Sequence, residues 1–494
     1  MTTKPSINIV WFKRDLRLLD HEPLHKAISN GLPTLLLFTF EPSLIQNPHY
    51  SDRHWNFIKE SIVDMNNELK EFDTKILAVT AEFIPAISKL LQFWTIKNLF
   101  SHQETGLRVT YERDKAVKRF CKNNLIHWEE SITNGVARGL KDRINWSENW
   151  TSYMLQPKFD FLPKFSNFIA TETLINVASF FKETYLKTPN DSQFQKGGTE
   201  MGIKYLHSFF KDGRYKNYNS HISKPVLARK SCSRLSPYLA WGNLSVRQVW
   251  QHAKVFKIEA SNKRCIDGFT SRLRWQAHFI QKFEMEDRME FESINRGYHK
   301  LKKNISDQYH EAWITGNTGY PIVDACMRCL NTTGYLNFRM RALVVSFYTH
   351  NLWQPWQGAT THLSKQFLDF EPGIHFPQLQ MQAGETGINM LRIYNPVKNS
   401  KEHDPAGEFI KKWIPELKDI PVQYIHEPYL IPPLEQQFLN IDIGNDYPLP
   451  IVELSKTRQK ASDHLWKLKD DPTVKSESFR ILSRHTLSDR NNFD

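Results

Sequence analysis

The sequence predicts an α/β N-terminal domain built on a parallel, five-stranded, Rossmann-like sheet, followed by a larger all-α domain. Three observations predict it. Short β-branched or aromatic runs alternate with amphipathic stretches of helix length up to about Ser131. Helical periodicity dominates after Thr199. Between the two, Pro157, Pro163, Pro189 and the Gly197-Gly198 pair break the pattern and mark a long connection with short helical pieces. The expected division is an α/β domain over 1–131, a linker over 132–198, a helical domain over 199–482 and a polar tail over 483–494.

Taken in order, Ile7–Phe12, Thr34–Phe40, Lys75–Thr80, Ile96–Ser101 and Leu125–Glu130 are the expected strands. His21–Ser29, Asp52–Lys70, Ala81–Phe93 and Val109–Cys121 are the expected helices between them. Ser51-Asp52 supplies a capping residue for the second. Ligands of such sheets bind at the carboxyl ends of the strands. No GxGxxG or GxxxxGK(S/T) loop follows a strand, so neither a dinucleotide site nor a P-loop has support. Further helices are expected at Met201–Lys211, Ser245–Phe256, Cys265–Met285, Ile322–Leu330, Phe338–Leu352 and Pro405–Trp413, the last capped by Asp404. After Asp446 the chain turns polar, which predicts a short helix and a frayed end.

Composition narrows the class. With 40% hydrophobic and 24% charged residues, a mainly disordered chain is excluded. No apolar run approaches the roughly 18–20 residues of a membrane helix. Ile7–Phe12 is followed at once by Lys13, Arg14 and Asp15, unlike a secretory signal. The five cysteines, Cys121, Cys232, Cys265, Cys326 and Cys329, form no disulfide framework and suit a reducing compartment, so a cytoplasmic monomer is expected. Cys326-Met-Arg-Cys329 lacks a second pair at ligand spacing and reads as buried thiols. The excess of 65 basic over 53 acidic residues, a net charge of +12, points to a polyanionic partner. Large aromatic cores account for part of the 32 Phe, 17 Tyr and 14 Trp, and stacking surfaces for bases or a ring cofactor are the reading offered for the rest.

The chemistry concentrates between Trp313 and Leu417. Gly316-Asn-Thr-Gly-Tyr-Pro321 places a turn before a helix with proline near its first position. In Gly334-Tyr-Leu-Asn-Phe-Arg-Met-Arg341, Arg339 and Arg341 point about 200° apart on a helix, so one faces a ligand and the other a carboxylate. Asp369-Phe-Glu371-Pro-Gly-Ile-His375 reads as a loop, not a helix. Its carboxylates accept from an N–H-rich ring or pair with Arg341. No second histidine stands at ligand spacing, so no metal is expected.

These residues carry a resemblance. The Trp313–Leu417 stretch resembles the flavin-binding half of the photolyase and cryptochrome family. Ser233-Arg-Leu-Ser-Pro-Tyr-Leu-Ala-Trp-Gly-Asn-Leu-Ser245 is similar to a further family segment, and Val10-Trp-Phe-Lys-Arg-Asp-Leu-Arg-Leu-Leu-Asp20 to the family's opening strand. The resemblance implies FAD in the helical domain. It places Tyr218 and Cys232, Ser233, Arg234, Leu235 and Ser236 on the flavin's phosphates and ribityl chain, with Cys232 in place of the usual Thr. Phe269 falls on the adenine side. Arg341 pairs with Asp369 near the isoalloxazine, where Asp369, Phe370 and Glu371 also lie, and His375 faces the flavin N5.

The implied partner is damaged DNA, single- or double-stranded, with the lesion flipped out of the stack. Arg272, Trp275, Gln276, Phe338, Arg339 and Asn399 fall at family DNA contacts, Trp275 at the lesion-stacking position. Three departures stand out. Arg272 replaces the substrate-side Glu, and Phe338 replaces the Asn that holds the lesion. Of the relay tryptophans, Trp313 and Trp356 match the outer and middle members, while the inner position, within Pro377–Gly387, has no aromatic residue. Trp353 or Tyr394 is the substitute candidate, and core packing is the alternative role for the two matches. Arg272 contacts a lesion, contacts a phosphate or makes a structural pair.

The leading expectation is therefore a blue-light DNA photolyase, most directly for cyclobutane pyrimidine dimers. The alternatives are a cryptochrome photoreceptor without repair and a flavin-free nucleic-acid-binding protein. His102-Gln-Glu-Thr-Gly106 falls where antenna pigments bind in relatives, with folate, deazaflavin and no antenna all left open.

Overall fold

The computed structural model describes residues 4–182, 186–188 and 193–486. Pro189 of the expected linker and residues 487–494 of the expected tail lie outside them. Strands β1 (Ser6–Phe12), β2 (Thr34–Thr39), β3 (Leu77–Val79), β4 (Thr95–His102) and β5 (His127–Ser131) form one parallel sheet in the order β3-β2-β1-β4-β5. The helices Glu22–Ser29, Asp52–Leu69, Phe83–Leu90 and Arg108–Asn123 fall between the strands. The strand order reverses between β1 and β4, which opens a crevice at their carboxyl ends.

Side chains on β1 and β2 alternate between two cores, as the two-residue period of a strand requires. Ile7, Ile9, Trp11, Leu35 and Leu37 pack with Phe83, Ala86 and Leu90. Leu174 and Val177 of the Thr171–Ala178 helix join them, so part of the expected linker completes this domain's core. Val10, Phe12, Leu36 and Phe38 face the other way, into the core that also holds Tyr238, Trp241 and Phe370 of the helical domain. The two domains share one apolar interior.

In the helical domain, the Lys263–Met285 helix packs against Pro372–Gln382. Gly373 permits the approach, because a Cβ there would lie 2.8 Å from the Cα of Ile280. Three expectations are corrected here. The segment after Asp369 is a helix, not a loop: Pro372 sits in its first turn, where no N–H partner is needed, and the Glu371 side chain accepts from the Gly373 N–H. The helix expected from Pro405 begins at Glu408, after Gly407 in a left-handed conformation. The Asp404 carboxylate still reaches forward to the N–H groups of Phe409 and Ile410, at 3.0–3.1 Å. The polar C-terminal region forms two full helices, Leu454–Lys469 and Pro472–His485, so the expected tail boundary at 483 falls inside the second. Buried Ala461, Leu465, Val474 and Ile481 supply the apolar stripes that hold them.

Candidate active site

A cavity of about 500 Å³ opens in the helical domain, with walls that are mostly apolar. That combination of size and lining is typical of cofactor pockets. Five segments supply most of its lining: Tyr218 to Ile222, Cys232–Ser236, one face of the Lys263–Met285 helix, the stretch from Tyr335 to Val345, and the stretch from Leu363 to Gln382.

Cys232–Ser236 forms the polar end. Arg234 is left-handed, with φ of 62°. For a residue with a side chain this costs of order 1–3 kcal/mol and needs support from the surroundings. Gln195 supplies it: its Oε1 accepts from Arg234 Nη2 at 2.6 Å and its Nε2 donates to the Arg234 carbonyl at 2.9 Å. The guanidinium also lies 3.8 Å from the Tyr335 ring. Burial pushes the Cys232 thiol up to about 11, so it stays neutral.

At the deep wall, Arg341 grips Asp369 with two parallel bonds of 3.0 and 2.8 Å. Burial alone would raise the Asp369 carboxyl. The Arg341 charge, with bonds from Arg341 and Ser236, outweighs burial and holds the carboxyl below its ordinary range. Two residues on, Glu371 is raised, chiefly by burial. The Arg14 guanidinium lies 3.4 Å from it and donates to the Phe370 carbonyl. Arg14 follows β1, so the α/β domain is latched to the floor of the pocket. Burial lowers His375 to about 3, which makes it a neutral imidazole. Its Nε2 lies 3.0 Å from the Thr360 carbonyl, so Nε2 carries the proton and Nδ1 is an acceptor.

The rim is different. Trp275 and Phe338 are 40% and 44% exposed, unusual for large rings beside a deep cavity. Arg272 lies beside Phe338: its guanidinium carbon is 5.6 Å from that ring, and it bonds the Tyr218 hydroxyl.

Of the residues singled out from the sequence, Tyr218, Cys232, Ser233, Arg234, Leu235, Ser236, Arg272, Trp275, Gln276, Phe338, Arg341, Asp369, Phe370, Glu371 and His375 all line this one cavity. Phe269 does not; it is buried behind Tyr218, against Phe209 and Phe210. Arg339 turns away from Arg341, as their spacing demands, and donates to the Tyr394 hydroxyl at 2.8 Å. Arg339 and Asn399 line a separate groove of about 570 Å³ with Arg392, Lys398 and Arg458. Trp313 and Trp356 are fully buried outside the cavity lining. Trp313 packs on Tyr348 with ring centres 4.5 Å apart and donates to the Val344 carbonyl, while the Trp356 N–H goes to Ser293. Sequence reasoning missed Arg14, Gln195 and Tyr335. Tyr335 sits inside the Gly334–Arg341 motif and was within reach; the other two come from distant segments.

Among the described residues, the one trio of metal-ligating groups within mutual reach is Asp15, His21 and His102, at the ends of β1 and β4. There the Asp15 carboxylate is shared by the two imidazoles at 2.9 and 2.7 Å. The adjoining space is lined by His102, Gln103, Glu104 and Thr105 together with Lys13, Arg14 and Glu371.

Residues 269–467 match the family described as the FAD binding domain of DNA photolyase, and residues 8–137 match the family described as DNA photolyase. The chain is 29% identical to a cryptochrome DASH from Synechocystis sp. over 92% of this chain and 96% of that one. It is 27% identical to a deoxyribodipyrimidine photo-lyase from Alkalihalophilus pseudofirmus over 93% and 98% of the two chains. The crystal structure of a Synechocystis cryptochrome superposes with a TM-score of 0.81 at 25% identity, covering 94% of this chain and all of that one. The chain belongs to the photolyase/cryptochrome superfamily, whose helical domain binds FAD.

Proposed function

We propose that the protein is a blue-light-driven DNA photolyase that splits UV-induced pyrimidine dimers, cyclobutane dimers first. The observation that carries this reading is the rim: two half-exposed aromatic rings, Trp275 and Phe338, line a largely apolar pocket together with Arg272, whose guanidinium lies beside Phe338. A flipped lesion needs stacking walls and a donor at such a mouth.

The lining suits FAD. Ser233, Ser236 and Arg234 offer donors to a pyrophosphate, and the Asp369 carboxylate is an acceptor held anionic by Arg341. When bound, reduced flavin supplies one electron on excitation by blue light. The chain's residues do the rest. Arg341 and Asp369 would hold the ring system of a bound flavin. With its Nε2 proton engaged by the Thr360 carbonyl, His375 would offer Nδ1 as an acceptor. The apolar walls exclude water. Arg272 stabilises negative charge at the mouth, where a reduced dimer would lie.

The second reading is a cryptochrome photoreceptor with the same flavin and no repair. It is favoured by the same two rim residues, since Arg272 and Phe338 stand where repair enzymes of the family carry Glu and Asn. Arg272→Ala separates the roles. A lesion contact predicts lower repair yield per absorbed photon at saturating DNA, because that contact acts on charge formed after electron transfer. A phosphate contact predicts weaker binding at unchanged yield. A receptor predicts no repair in either form, with flavin photochemistry intact.

A further inference from the structure

The segment between the two domains reaches the rim. Ala137 exchanges two bonds with the buried Gln281 side chain: its N–H donates at 3.0 Å and its carbonyl accepts at 2.8 Å. The Gly139 N–H donates to Glu284 at 2.9 Å, and the Trp146 indole N–H to Gln281 at 3.3 Å. These bonds lay residues 137–146 along the Lys263–Met285 helix, which carries Trp275. Arg143 lies within this stretch and is 3% exposed. A buried guanidinium is ordinarily met by a carboxylate. This one closes on a single residue instead. Its Nη1 donates to His278 Nδ1 at 2.7 Å, and its Nη2 donates to the His278 carbonyl, also at 2.7 Å. Burial lowers Arg143 to about 9, and no acid among the described residues offsets it.

The bond to Nδ1 fixes the imidazole. A guanidinium has donors only, so Nδ1 accepts and the ring proton is on Nε2. Protonating Nδ1 would set two donors against each other. Burial, then the charges of Arg143, Lys282 and His485, hold His278 well below the ordinary imidazole range. Those three are the titratable groups set against it: one from the segment between the domains, one from its own helix and one from the C-terminal helix. Aromatic rings box it in as well. Its centre is 6.2 Å from Trp146 and 5.4 Å from Trp275, edge-on to both. Trp275 in turn stacks on Phe279 with centres 5.8 Å apart. Trp275 is thus the exposed end of a chain that starts in the interior at Trp146 and Arg143.

We infer that Arg143 is a positioning residue for the rim: it clamps His278 in one orientation and one tautomer, and His278 in turn sets the plane of the Trp275 ring on which a nucleobase stacks. The inference rests on the stacking role of Trp275 proposed above. The clamp also keeps an imidazolium away from the indole. A charged ring at that distance would be drawn to the indole face and would turn the pair out of its edge-on geometry.

Fluorine NMR of the FAD-loaded, fluorotryptophan-labelled full chain reads the indole directly, with the Trp275 resonance assigned by its loss in Trp275→Phe. In the wild type that resonance should hold its position from about pH 8 to about pH 5, a range that spans the ordinary imidazole value. In Arg143→Met it should shift and then move with pH, because Nδ1 becomes free to take a proton. Arg143→Gln, which removes the charge and keeps a donor, carries the same test if the Met variant does not fold. On a single strand carrying a cyclobutane dimer, Arg143→Met should bind roughly fivefold more weakly, the lower end of what one stacked base contributes. Combining Arg143→Met with His278→Phe should recover both the affinity and a pH-independent resonance, because phenylalanine presents a similar ring edge with nothing to protonate. A Trp275 resonance unmoved in Arg143→Met, or one that still titrates in the double variant, would overturn the inference and leave Arg143 as a pin between segments. Unchanged dimer affinity in Arg143→Met, when the wild type prefers dimer-containing DNA, would overturn it too. The expected resonances, with no variant preferring damaged over undamaged DNA, would uphold the clamp and count against the lesion reading instead.

Discussion

Arg341 shows how much one residue decides. It is joined by two bonds to Asp369, whose side chain is only 7% exposed. Removing one partner of a buried pair strands the other, at about 3–5 kcal/mol when both are deeply buried. Arg341 itself is 30% exposed, so the lower end applies. Arg328 donates from its Nη1 to both carboxylate oxygens of Glu416, at 2.8 and 2.9 Å, but Glu416 lies at the surface. Such a pair is worth about 0–1 kcal/mol. Arg341→Ala should therefore lose FAD on gel filtration while Arg328→Ala keeps it; equal retention would refute the assigned depth of the pair. The sequence made Arg339 and Arg341 diverge, because helix geometry leaves no choice. Pairing of a carboxylate of that stretch with Arg341 was one of two readings the residues offered, but spacing could not choose it or single out Asp369, since helix periodicity does not reach across 28 residues; the resemblance named that partner. Arg14 was beyond reach altogether, since it meets Phe370 across 356 positions.

At the scale of elements, the Pro372–Gln382 helix is the instructive case. Proline and glycine after a carboxylate carry two readings: a loop, or a capped helix start. Nothing local decides between them, and packing against Ile280 selects the helix. The consequence is functional, because the helix turns His375, Gln378 and Gln382 toward the pocket. The Pro472–His485 helix docks through chemistry the polar sequence concealed. Glu286, 5% exposed in its side chain, meets Arg288 at 2.8 Å, His485 at 2.9 Å and the Arg480 guanidinium. Burial would raise Glu286, but bonds from His485 and Arg480 outweigh it and lower it. Burial lowers His485 to about 4. Both groups are depressed in the fold, so the unfolded segment binds more protons, and docking weakens as pH falls. The loss should begin below the ordinary imidazole value of about 6.5 through His485 and continue below the usual carboxylate range through Glu286. Amide exchange in 472–485 should accelerate between pH 7 and pH 5, and His485→Gln should flatten that limb. Exchange independent of pH after correction for the intrinsic rate would contradict it.

At the scale of the molecule, alternation of strands and helices made the α/β domain legible, and apolar stripes did the same for the helical one. Their fusion was not legible. The core that takes Val10 and Phe12 also takes Trp241 and Phe370, and no periodicity shows which faces of distant segments meet. Net charge reads differently, because it acts through space and needs no contact map. The +12 excess, with Arg339, Arg392, Lys398 and Arg458 grouped on one groove, should engage phosphates. About five phosphate contacts give a log–log salt slope near −4 to −5 on duplex DNA. A slope near zero in a titration from low to moderate salt would leave the basic surface without this role.

The measurement that tests the central claim most directly is repair per absorbed photon at saturating DNA. It uses the FAD-loaded, reduced protein and oligonucleotides carrying a single cyclobutane dimer or a single (6-4) lesion, each single- and double-stranded. The account predicts blue-light-dependent restoration of the cyclobutane dimer, none in the dark, and a lower yield for Arg272→Ala. Bound flavin that is reduced and photoactive, with neither lesion restored on either kind of strand, would contradict it and leave the photoreceptor reading in its place.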